Sequence, residues 1–237
     1  MKMENLNSLH QELKALANPQ KAKLLQGFFK TGKGEYGEGD IFLGITVPES
    51  RNLAKKYSNF PLDDIKELLK SKFHEERLIA LLILVHNYKI SDEEEKGRIF
   101  NFYLENTKYI NNWDLVDLSA HKIVGEYLKD KDKSVLYKLS SSSNIWERRI
   151  SIISTFIFIK NDQFQDSISI AKILLNDFHD LIQKAVGWML REIGKKDIQV
   201  LEQFLKKHYK NMPRTTLRYA IERLPEDKRQ KYLNGEI

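Results

Sequence analysis

Apolar residues recur at three- and four-residue spacing along nearly the whole chain, which is the period of amphipathic helices, and no stretch alternates as a strand would. Leu6, Leu9, Leu13 and Leu16 predict a first helix that stops before Asn18-Pro19. Pro19 suits a first helical turn and opens a second helix through about Lys30. From Pro61 onward the pattern becomes regular. Strongly apolar helices are predicted to begin near His74, Asn111, Asn144, Asp180 and Pro213, with starts about 35 residues apart. More amphipathic segments lie between them at 94–104, 134–139, 164–174 and 198–207.

That interval is the one expected of stacked two-helix repeats of the HEAT, armadillo or tetratricopeptide kind, with the strongly apolar helices as the inner layer. A curved stack lets side chains on successive inner helices meet on one concave surface although they are far apart in sequence. Residues 31–47 break the pattern with five glycines and are predicted to form a loop. Their spacing matches neither a Walker loop nor a dinucleotide fingerprint, and Glu35, Glu38 and Asp40 would repel phosphate. Ile41-Phe42-Leu43 is expected to pin this loop to the helices before Pro48 restarts one carrying Arg51. Ser140 to Ser143 reads as a flexible linker ahead of an Asn144 cap.

With 237 residues, 41% of them apolar, the chain can bury a large core. It contains no Cys, which excludes disulfides, thiolate metal sites and Cys nucleophiles. No apolar run is long enough for a membrane span, and the first residues lack a secretory apolar segment, so a cytoplasmic protein is expected. The net charge of +6 is uneven: residues 140–237 hold 17 Lys/Arg against 12 Asp/Glu. A basic C-terminal half suggests a polyanion, nucleic acid first, although helical surfaces are often rich in Lys. The expected architecture is therefore all-α, a right-handed α-solenoid of HEAT-like helical pairs with a concave, basic groove, forming a single domain over 1–237.

The inner helices carry residues that the apolar pattern does not explain. Asp117 is a carboxylate inside the run Leu115 to Ala120, and Trp113 lies four residues before it, so indole and acid share a helix face. The next inner helix opens Trp146-Glu147-Arg148-Arg149, placing a planar cation at the edge of the core. The one after has Lys184, Trp188 and Arg191 on one face, and Arg214 and Arg218 lie four apart near the end. Each has a bland counterpart. Asp117 can pair with His121, Trp113 and Trp188 can fill core, Lys184 and Arg191 can be a solvated edge, and Arg149 can serve an acid such as Asp117. The six His are scattered, and no metal or cofactor is expected.

Taken in order, Phe42-Leu43-Gly44-Ile45 with Pro48 and Arg51, Trp113-Asp114-Leu115-Val116-Asp117, Trp146-Glu147-Arg148-Arg149 and the segment from Ile182 to Glu192 give the chain its resemblance to a known family. Over nearly its whole length it resembles the AlkD-like HEAT-repeat DNA alkylation repair enzymes. The resemblance implies a DNA glycosylase that removes N3- or N7-alkylated purines from double-stranded DNA, and a monomer is expected. It makes Asp117 the catalytic carboxylate and Trp113 and Trp188 the site tryptophans. It also puts the site arginine at Arg149, counting back from Trp188, with Arg148 as the alternative. Arg148, Lys184, Arg191, Arg214 and Arg218 are then expected to contact the DNA backbone. It further implies a groove that contacts the lesion without a deep base pocket. Tyr36-Gly37-Glu38-Gly39-Asp40 looks like an insertion relative to shorter members, near the DNA-facing end. Two other classes stay open: a DNA-binding relative that does not release bases, and a helical scaffold for a protein partner.

Overall fold

The computed structural model describes residues 5–237. Among them, α1 (Leu6–Leu16), α2 (Pro19–Phe28), α3 (Val47–Lys56), α4 (Leu62–Leu69), α5 (His74–Ile90), α6 (Glu93–Glu105) and α7 (Trp113–Ala120) come first. There follow α8 (Glu126–Leu128), α9 (Ser134–Ser140), α10 (Ile145–Ser154), α11 (Phe156–Lys160) and α12 (Gln165–Ile173). The last four are α13 (Asp180–Lys196), α14 (Ile198–His208), α15 (Arg214–Ala220) and α16 (Glu226–Asn234). No strand occurs among the described residues; an isolated bridge joins Ile41 to Phe73. No helix is long and apolar enough to cross a membrane among the described residues.

Local chemistry explains where helices start. Asn5, Asn18, Asp92, Asn144 and Asp197 each accept an amide N–H of the first turn, and Pro19 occupies a first-turn position of α2. Thr46 and Glu49 form a reciprocal capping box that opens α3 one residue before Pro48. Two predicted helices are broken. The one expected to run from Asn111 to Leu128 is α-helical only to Ala120, then winds one π turn over His121–Gly125 before α8. Ser154 ends α10, and the following residue, Thr155, folds its hydroxyl onto the Ile152 carbonyl before α11. The serine run is no loose linker: Ser140 bonds the Tyr137 carbonyl, Ser142 bonds Glu147 and the Asn144 amide, and Arg148 clasps the carbonyls of Ser142 and Ser143.

The helices gather into two compact units, Met1–Ser119 and Ala120–Ile237. In the first, α3, α4 and α6 pack around α5, whose residues from His74 to Leu84 are all buried. In the second, α10 packs on α9 and α13, and α13 packs on α14 and α15, so successive strongly apolar helices lie against one another. Gly187 permits that last contact, because a Cβ there would sit 2.6 Å from the Thr216 carbonyl oxygen.

Gly44 marks where the irregular segment 31–46 closes on α2. Its φ is +81°, and a Cβ would lie 2.2 Å from the Asn18 carbonyl oxygen, so both conformation and space demand glycine. Gly44→Ala is expected to lower stability by about 2–4 kcal/mol, read as a reduced urea midpoint at unchanged slope.

Candidate nucleic-acid site

The start of α7 is held by side chains from elsewhere in the first unit. Asn112 accepts the Trp113 N–H with its Oδ1 at 2.8 Å, so the cap lies one residue later than the predicted Asn111. Its Nδ2 donates to Asp40 Oδ2 at 3.1 Å. Asp114 is buried and meets His74 Nε2 at 2.8 Å, while the other ring nitrogen, Nδ1, meets Asp40 Oδ2 at 3.1 Å. Arg77 completes the cluster by donating to Asp40 Oδ1 at 2.6 Å and to the Ser71 carbonyl at 2.8 Å.

Both ring nitrogens face carboxylate oxygens, an arrangement that favours a proton on each and so the imidazolium form of His74. Burial opposes that charge, but the Asp114 charge and hydrogen bond, joined by the hydrogen bond to Asp40, outweigh it against Arg77 and raise the His74 pKa to about 9. Burial also pushes the Asp40 carboxyl up, and the His74 hydrogen bond, the Arg77 charge and Asn112 together hold it below its ordinary value. Two carboxylates and two cations thus share one buried place.

For Asp40 alone this corrects the reading of the acidic loop, since Glu35 and Glu38 remain exposed. Asp40 is 5% exposed and faces inward. Glu35 accepts the Gly32 N–H at 2.9 Å, and Glu38 accepts the Gly34 N–H at 2.8 Å, so these acids order their own loop. Of the expected anchor Ile41-Phe42-Leu43, Phe42 is buried and Ile41 is exposed, and the segment is held chiefly through its backbone. Glu75, 2% exposed, accepts the N–H groups of Leu43, Gly44 and Ile45 at 2.9, 2.8 and 3.2 Å.

An aromatic ladder runs beside the charges. Trp113 stacks on Phe29 with centroids 5.0 Å apart, Phe29 on Phe42 at 4.8 Å, and Phe42 on the His74 ring at 4.4 Å. One indole face is therefore occupied, while the exposed Phe28 meets Trp113 edge-on at 6.0 Å. Asp117 stands half-buried one turn along α7 from Trp113. Behind it Tyr103 is fully buried, its hydroxyl 2.9 Å from Ser119 Oγ. Burial first, then the Asp117 charge, push the Tyr103 phenol up despite the Ser119 hydrogen bond. A mostly apolar cavity of about 340 Å3 also lies in this unit, lined by Lys21, Leu24, Phe42, His74 and Asp114 among others, but not by Trp113 or Asp117.

In the second unit Arg149 is 5% exposed and donates to the Leu181 carbonyl, bracing α10 against the first turn of α13. Its neighbour Arg148 binds Asp177 Oδ2 through Nε at 2.6 Å. Trp188 is half-buried, donates to Glu192 Oε1 at 3.1 Å and tilts against Phe156. By contrast Trp146 is buried core. Lys184 meets Asp180 at 2.6 Å, and Arg191 is paired with Glu192 and Glu222. Arg214 donates to the Leu233 carbonyl at 2.7 Å, and Arg218 is exposed. Sequence reasoning passed over Asp114, His74 and Arg77, because their partners lie 34 to 40 residues away.

Among the described residues the chain is helical, and it sets an acid one turn from a partly exposed tryptophan, with further cations on its apolar helices. A family model described as DNA alkylation repair enzyme matches residues 9–224, and the chain belongs to that family. Among solved structures it is similar to a predicted DNA alkylation repair enzyme from Enterococcus faecalis, at 20% identity and a TM-score of 0.69 over 89% of this chain and 97% of that one. It is also similar to AlkD2 from Streptococcus mutans, at 19% identity and a TM-score of 0.54 over 86% of this chain and 97% of that one. At these identities the likeness is one of fold. No curated protein matches the chain.

The buried imidazolium carries a pH signature. A raised folded pKa contributes stability that is complete below the unfolded value near 6.5 and is lost as pH rises through about 9. The urea midpoint of the wild type is expected to fall across that interval, and His74→Gln is expected to start lower and lose this slope.

Proposed function

We propose that the protein is a DNA glycosylase that releases N3- or N7-alkylated purines from duplex DNA, with Asp117 as its catalytic carboxylate. The observation that carries this reading is Asp117 itself. It is a half-buried acid on α7, one turn from the partly exposed Trp113, in a chain of the alkylation repair family.

The chemistry suits these residue types. A purine alkylated at N3 or N7 already bears positive charge, so its glycosidic bond weakens without a general acid. As that bond breaks, its electron pair goes to the purine, which leaves neutral, and the sugar becomes oxocarbenium-like. One carboxylate then stabilises the cationic sugar and orients the water whose oxygen bonds to C1′, its proton passing to the carboxylate or solvent. The open part of the Trp113 indole, like Trp188, attracts cationic sugar or base by about 0.5–2 kcal/mol. In the second unit Arg149, held in direction by its bond to the Leu181 carbonyl, is assigned the role of holding a backbone phosphate at the lesion. Arg218 is exposed to meet backbone phosphates, as is Arg214 beyond its carbonyl bond. Arg148, Lys184 and Arg191 each hold a carboxylate that a phosphate would compete with. The reaction calls on neither metal nor cofactor, since the lesion supplies the leaving-group charge.

Single-turnover release of 7-methylguanine or 3-methyladenine from methylated duplex DNA tests the reading. Asp117→Asn is expected to lose at least about tenfold in rate with DNA affinity unchanged or higher. Full activity in that variant would remove the assigned mechanism, and binding without any base release in the wild type would point to a DNA-binding relative.

A further inference from the structure

We infer that the buried cluster of Asp40, His74, Arg77, Asn112 and Asp114 is a positioning device for the reacting helix. It ties the start of α7, where Trp113 and Asp117 stand, to the irregular segment 31–46 and to the first turn of α5. The inference rests on the proposed role of Asp117 and adds residues that act through it.

The geometry argues for positioning over simple filling. An apolar plug would bury the same volume without specifying direction, whereas His74 faces acids through both ring nitrogens and so fixes Asp114 relative to Asp40. Asn112 supplies a second tie, joining the cap of α7 to the same Asp40 carboxylate. The Phe42 ring stacks on His74, and Phe29 carries the stack to Trp113, so the imidazole also ends the ladder against which the indole rests. Asp114 is adjacent in sequence to Trp113 and three residues from Asp117, so a rotation of α7 that broke its bond to His74 would turn both away together. The titratable and charged groups that face His74 are Asp40 from the loop, Asp114 from α7 and Arg77 from its own helix. None of these positioning residues is required to touch DNA.

Three variants of the full chain test this: His74→Gln, Asp40→Asn and Asp114→Asn, the last two nearly isosteric in case the first fails to fold. Hydrogen–deuterium exchange read by mass spectrometry is expected to rise at least tenfold over residues 112–120 and 40–46 and to stay unchanged over Ile145–Ser154 and Asp180–Lys196. Single-turnover base release at saturating enzyme is expected to fall about tenfold, with the DNA dissociation constant moving less than threefold. The alkaline fall in wild-type rate is expected near the point where His74 loses its proton. In Asp114→Asn it should come at least one pH unit earlier, because one of the two carboxylates that hold the proton is gone. Exchange that rises evenly in both units, exchange unchanged over 112–120, or an alkaline limb that stays in place would each overturn the inference. If the wild type releases no base, the glycosylase reading fails while the exchange measurement still decides whether the cluster holds α7.

Discussion

The packing of the first unit around the irregular segment and α7 depends on balancing charge at the start of α5. Four consecutive residues, His74, Glu75, Glu76 and Arg77, are buried there, where ionisable groups survive only if each is paired or hydrogen-bonded. Each is met by a different neighbour. His74 lies between Asp40 and Asp114, Glu75 takes three amides from 43–45, Glu76 faces His10 of α1, and Arg77 takes Asp40 and the Ser71 carbonyl. The helix start thus works as a hub that fixes α1, the irregular segment and α7. Because the acids lie in the first turn, the helix dipole adds to their stabilisation.

The helices were legible because their cause is local. Period, caps and Pro positions set α1 to α3 and the apolar series beginning at α5, and the structure repeats them within a residue or two. The breaks at Ala120 and Ser154 were not, since apolar residues continue through both, and the close approach of Gly125 to the Ser154 carbonyl is a tertiary fact. The buried charges were invisible for a related reason. A run of His, Glu, Glu and Arg at a helix start has the composition of a solvated end, and only the distant Asp40 and Asp114 make it a core. Asp114 was hidden in plain view, between the two residues that drew notice to the motif.

Trp113 and Asp117 stood out in sequence as a pair on one helix face, and that relation is local enough to survive folding. What sequence could not supply is the condition of the indole. Phe29 covers one face and Phe28 meets the ring at 6.0 Å, so the indole is held in place by aromatic neighbours on its own unit.

The cations of the second unit have a consequence of a different kind. Arg148, Lys184 and Arg191 already hold Asp177, Asp180 and Glu222, so on the proposed reading a phosphate reaches them by displacing a carboxylate. Such an exchange moves negative charge instead of neutralising it, and the freed acid stays close enough to repel the strand that displaced it. On that reading these three cations add less to the salt dependence of DNA binding than an exposed one such as Arg218.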